Sequence, residues 1–162
     1  MVKRKDEEMK RIVLLAVSLA MLLALCACGG GGSKKDVDLD ALASELTASG
    51  AFTDIMSQPA DGVPSRLYGF QDGDVSKCVM FTGTGATAEE IFLAQTSGSD
   101  AAAQLQTACE QRVENQKLAF RSYAPAEVEK LDNAVIVTDG NYVFLVVSAD
   151  ASAVRAILEK AL

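Results

Sequence analysis

The chain has 162 residues, enough for one domain and little more. Its formal charge is −7, but residues 1–27 hold five of the 15 basic and three of the 22 acidic residues, leaving 10 against 19 and a net of −9 for the rest. A body this acidic repels phosphate backbones, which excludes nucleic acid as an expected partner. The absence of His removes the usual general base near neutral pH and the commonest zinc ligand, and the absence of Trp argues against a deep aromatic stacking platform.

The N-terminus has the parts of a secretory signal. Lys3, Arg4, Lys5, Lys10 and Arg11 precede an apolar stretch from Ile12 to Leu25. At 14 residues that stretch is shorter than the ~20 that a spanning helix needs. Leu25-Cys26-Ala27-Cys28-Gly29 follows, with an apolar residue three before Cys28 and a small one directly before it, the order of a lipobox. Cys26 fits less well, because bulky Leu25 would then precede the cleavage point. Residues 1–27 are therefore expected to be a lipoprotein signal peptide and Cys28 the lipidated N-terminus. Two acyl chains at ~0.8 kcal/mol per buried methylene give stable anchoring where one is marginal. Residues 28–36 read as a flexible Gly/Ser linker and residues 37–162 as one domain.

Leu39, Leu42 and Leu46 predict an amphipathic helix to about Ser49, with Asp36 or Asp38 as its N-cap and Gly50 as its stop. Residues 51–73, with Pro59 and Pro64, read as irregular apart from one helical turn near Ser65 to Tyr68. Cys78 to Phe81 reads as a strand and Gly83-Thr84-Gly85 as a turn. Glu90 to Thr96 is ambiguous by pattern alone, because Thr87 and Glu90 also suit a capping box. Later in the chain, Ala134 to Thr138 and Tyr142 to Ser148 flank Asp139-Gly140, a pair suited to a type I′ hairpin turn, and an Ala-rich helix start follows. The same order follows Gly83, which makes Glu90 to Thr96 a strand and the domain two strand-turn-strand-helix units. The predicted class is α+β: two ββα units forming a four-stranded antiparallel sheet with helices packed on one face, preceded by an N-terminal helix. Leu105, Cys109 and Val113 mark the apolar stripe of the first unit's helix, from Asp100 to about Ala119. Val154, Ile157 and Leu158 mark that of the second, from Ala151 to Leu162, and a short helix is expected within Tyr123 to Asn133.

No catalytic, cofactor-binding or metal-ligating set is assembled along the chain. Gly83 to Ala88 resembles a dinucleotide-binding glycine pattern but lacks the helix directly after it, so a turn is expected. Asp72-Gly73-Asp74 begins like a calcium loop, yet Lys77 and Gly83 stand where Gly and Glu are required, and a solvated turn is the better reading. Glu89 and Glu90 are adjacent and point to opposite faces of a strand, so they cannot flank one glycosidic bond and are expected to be solvated hairpin charges. Without His or a Ser-x-x-Lys dyad, no Ser or Cys nucleophile has its usual base. Cys78 and Cys109 either form a strand-to-helix disulfide or, the favoured reading, remain buried thiols. Leu67, Tyr68 and Phe70 are expected to plug the end of the core rather than line a groove.

Several stretches together resemble a family of bacterial lipoproteins, domain of unknown function 4358. These are Leu67-Tyr68-Gly69, Gly85-Ala86-Thr87-Ala88-Glu89-Glu90-Ile91, Arg112 with Gln116-Lys117, Phe120 with Tyr123 and Pro125, Leu131 with Asn133-Ala134-Val135-Ile136, and Gly140-Asn141-Tyr142-Val143. They span roughly Leu39 to Ala153. The resemblance implies lipoprotein character and brings no activity or catalytic residue; Cys78 and Cys109 are not part of its pattern. The expected function is a membrane-anchored extracytoplasmic lipoprotein, a binding or accessory module that meets the membrane through lipid on Cys28, with its protein or small-molecule partner open. The alternative is a cell-envelope enzyme using carboxylates or a carboxylate-bound metal, which requires three or more of Asp61, Asp72, Asp74, Glu89, Glu90 and Asp132 to converge on one cleft. A third reading, a structural spacer, requires no concave pocket.

Overall fold

The computed structural model describes residues 36–162; the expected signal segment, Cys28 and the linker as far as Lys35 lie outside them. The elements run α1 (Leu39–Ala48), α2 (Val63–Tyr68), β1 (Val75–Thr82), β2 (Glu90–Thr96), α3 (Ser99–Tyr123), α4 (Glu127–Asp132), β3 (Val135–Asp139), β4 (Tyr142–Val147) and α5 (Ala151–Ala161). The strands form one antiparallel sheet in the order β1-β2-β4-β3, so the α+β class, the paired ββα units and the preceding helix are all present. Among the described residues no helix is long and apolar enough to cross a membrane.

Local chemistry starts and stops these elements. The Asp38 carboxylate accepts from the backbone N–H of Asp40 and Ala41, and Gly50 at φ 77° turns the chain away after α1. Asp150 caps α5 in the same manner through Ser152 and Ala153. The second hairpin closes through Gly140 and Asn141, with Asp139 paired to Tyr142, one residue later than the sequence suggests. Only Gly140 has a positive φ there, at 56°, the pattern of a II′ turn rather than the expected I′.

β2 and β4 are buried at almost every position, which gives the sheet two apolar faces to cover. On the first face Val79, Ile91, Leu93, Phe144 and Val146 pack with Leu39, Leu42 and Leu46 of α1 and Val154 and Leu158 of α5. On the second, Met80, Phe92, Val143 and Leu145 pack with Leu105, Cys109 and Val113 of α3 and Leu131 of α4. The helices of the two units thus divide between the faces. Each fully buried Leu, Val or Phe contributes about 1.5–3 kcal/mol relative to exposure.

The two ends of the sheet differ. At one, the Tyr142 hydroxyl accepts from the Val37 N–H and donates to Asp36, fixing the point where the chain enters the domain. At the other, Glu90 pairs with Val147 across β2 and β4. Tyr142 pairs with Gln95, five residues along β2 from Glu90, so the two ends lie about 17 Å apart at 3.3 Å per residue.

Candidate functional site

Glu90 is the first residue of β2, and the strand alternation turns its side chain to the second face, in line with Phe92. It is 2% exposed. Three side chains from two helices meet it. Arg112 donates from Nη2 at 2.6 Å and from Nε at 3.3 Å, Gln116 donates from Nε2 at 3.0 Å, and the Tyr68 hydroxyl donates to Oε1. Arg112 and Gln116 are one helical turn apart on α3, on the flank of the stripe that carries Cys109 and Val113. Tyr68 arrives from α2 with its ring stacked on Phe92 at 3.8 Å. Burial and the Glu90 charge push the Tyr68 hydroxyl well above its ordinary range, so it is a donor at any physiological pH. Burial alone would lower the Arg112 pKa, but its hydrogen bonds and attraction to Glu90 raise it. Burial, then the Glu90 charge, push the nearby Cys109 thiol up to about 12, which keeps it protonated and inert.

Above this group opens a cleft of about 470 Å³. Its floor is Glu90, Arg112 and Gln116; Val63 and Leu67 of α2 form one wall, Phe120 and Tyr123 of α3 another, and the turn after β1 the rim. Tyr123 and Leu67 are both exposed at its mouth.

The rim is built on Asp54. Its Oδ2 accepts from the Thr84 N–H at 2.8 Å and from the Thr84 and Thr87 hydroxyls at 2.9 Å each, and its Oδ1 from the Ile55 N–H. These bonds, led by the one from the Thr84 backbone, lower the Asp54 pKa to about 2. Gly83 is required by close approach: a Cβ there would lie 2.6 Å from the Asp54 carboxylate and 2.7 Å from the Thr87 hydroxyl.

Glu89, also 2% exposed, forms a second network. It accepts from the Thr53 N–H and hydroxyl, the Asp54 N–H and Lys130 Nζ, at 2.7 to 3.0 Å. Lys130 also reaches Glu127 at 3.1 Å and the Thr53 hydroxyl at 3.2 Å, and Glu127 accepts from the Ala88 N–H. Burial would raise the Glu89 pKa, but the bonds from Lys130, Thr53 and Asp54 together lower it.

Residues 49–148, more than half of the chain, match the family described as a domain of unknown function, DUF4358. The chain belongs to that family. No curated protein and no solved structure matches it. The DUF4358 span contains the whole Glu90 group, the Glu89 network and the turn on Asp54, and leaves α1 and α5 outside.

Glu89 and Glu90 correct the expectation of solvated hairpin charges: both are buried and fully partnered, because the strand they open is apolar on both faces. They hold separate sets of partners, yet both line the same cleft, and Glu89 precedes β2 rather than alternating within it. Gly83 to Ala88 is a turn rather than the start of a helix, and Asp72 to Asp74 a turn at the surface. Of the six carboxylates proposed for an enzyme, Asp61 and Asp72 border a different cavity from Glu89 and Glu90, Asp74 borders a third, and Asp132 pairs with Lys117 at 3.0 Å. Three do not converge. Among the described residues no group of three His, Cys, Asp or Glu is arranged to hold a metal ion. Cys78 and Cys109 are both free thiols packed against the second face. Tyr68 plugs the core as expected, while Leu67 lines the cleft. Sequence reasoning did not single out Arg112 and Gln116 for chemistry. Their signal was two polar residues flanking the inward stripe of α3.

Proposed function

We propose that this DUF4358 protein is a membrane-anchored extracytoplasmic lipoprotein, held through lipid on Cys28, whose domain is a binding module working through the Glu90–Arg112 cleft. The anchor rests on the basic n-region, the short apolar stretch and the Leu25-Cys26-Ala27-Cys28 order. The binding role rests on one observation: a concave site with apolar walls and a polar floor held rigid by a buried carboxylate. Such a floor is preorganised, because Glu90 fixes the rotamers of Arg112, Gln116 and Tyr68 before any ligand arrives. The site lies at the opposite end of the sheet from Asp36.

Intact mass of the mature protein tests the anchor. Loss of residues 1–27 and a diacylglyceryl adduct on Cys28 are expected, and Cys28→Ala should leave the membrane fraction. A native product that keeps Met1 and carries no lipid refutes this half of the reading. A fragment screen followed by NMR tests the other half: shifts should cluster at Tyr68, Arg112 and Gln116, and binders that perturb only other surfaces would move the function elsewhere.

A further inference from the structure

A guanidinium has five N–H groups in a planar fork with two double-pronged edges. Glu90 occupies the Nε/Nη2 edge of Arg112, with one carboxylate oxygen on each nitrogen. The other edge, Nη1 with the second hydrogen of Nη2, belongs to a side chain that lines the cleft and is 22% exposed. Among the described residues the only buried side-chain polar atom without a partner is the Ser148 hydroxyl, so no Arg112 nitrogen is both buried and unpaired; besides Glu90, the guanidinium meets the Tyr68 hydroxyl. A two-pronged donor edge held in place from behind matches the two oxygens of a carboxylate.

From this edge, we infer that the cleft takes a small molecule with one free carboxylate on Arg112 and an apolar body against Leu67, Phe120 and Tyr123; the inference rests on the binding role proposed above. Charge selects a carboxylate over a phosphate. Arg112 is already neutralised by Glu90, and the domain is strongly acidic, so one added negative charge is tolerated where two are repelled. The Asn115 amide, beside Arg112 on the cleft lining, can meet a peptide-like group next to the carboxylate. The same chemistry occurs at a peptide C-terminus and in a fatty acid, and the probes separate the two.

The test is NMR titration of the full-length protein in detergent micelles with N-acetyl-leucine, N-acetyl-leucinamide, octanoate and inorganic phosphate. N-acetyl-leucine should shift resonances at Arg112, Gln116 and Tyr123, bind roughly tenfold or more tightly than its amide, and outcompete phosphate. Binding of N-acetyl-leucine but not octanoate assigns the peptide source, the reverse assigns the fatty acid, and either supports the inference. Arg112→Lys keeps a charge for Glu90 but loses the second edge and should abolish the preference for acid over amide. Tyr123→Ala, at an exposed wall, should weaken both ligands while leaving that preference intact. Equal binding of acid and amide to the native protein overturns the carboxylate while leaving the cleft as a binding site. No shift with either carboxylate also overturns it, and fragments that still perturb the cleft would show that the broader reading survives.

Discussion

Glu89 and Glu90 are the same residue type, adjacent in the chain and equally buried, yet they do different work. The Glu89 network is closed. Lys130 divides its three donors among Glu89, Glu127 and the Thr53 hydroxyl, and Glu89 accepts from two backbone N–H groups besides, so the set ties the segment after α1, β2 and α4 together with nothing left over. The Glu90 network is open. Its cation spends one edge on the carboxylate, lines the cleft and stays 22% exposed. A buried ion pair is thus a tie or a presented site according to the counter-ion: the compact ammonium is saturated, and the forked guanidinium is not.

That contrast can be broken by substitution, most severely at Arg112. Arg112→Ala leaves Glu90 buried with only Tyr68 and Gln116, and should cost about 3–5 kcal/mol in denaturant unfolding. Lys130→Ala leaves Glu89 its bonds from Thr53 and Asp54, so a smaller loss of about 1–3 kcal/mol is expected. Should the order of these two losses reverse, the distinction between tie and site fails. Tyr68→Phe keeps the stack on Phe92 and removes one donor to Glu90, for a loss of about 1–2 kcal/mol by the same measurement. Gly83→Ala forces the rim turn off Asp54 and should lower Tm by a few degrees, with NMR shifts confined to residues 53–54 and 83–87; an unchanged Tm would show that the turn yields freely. The smallest effect is on acid stability. Because the folded Glu89 pKa lies below the ordinary 4.5, the unfolded chain takes up this proton first, and stability is lost as pH falls from about 4.5 through the folded value. Glu89→Gln should flatten that part of the stability curve by less than one proton's worth of slope, and an unaltered slope would place the linkage on other carboxylates.

The elements were largely legible in the sequence because each has a local cause. Asp38 announces the first helix, Gly140 the hairpin, and the repeated unit settles Glu90 to Thr96 as a strand. Polar residues in the core were not legible. Glu89-Glu90 before Ile91 reads as a charged hairpin corner, and nothing nearby in the chain supplies the partners that make burial tolerable: Tyr68 and Arg112 both lie 22 residues from Glu90, and Lys130 lies 41 residues from Glu89. The hairpin turn lies one residue later than Asp139-Gly140 suggests, because Asp-Gly and Gly-Asn overlap at Gly140 and only the pairing of Asp139 with Tyr142 decides between them.

By itself the sequence determined the acidic domain, the order of helices and strands, and the grouping into two ββα units, since caps, turns and apolar periodicity act over a few residues. Only the tertiary structure decided which face each helix covers, that two neighbouring glutamates are buried, and that Tyr68, Arg112 and Gln116 converge on one of them. Those outcomes depend on partners brought together across the sheet, and a buried charge is stable only where such partners meet it.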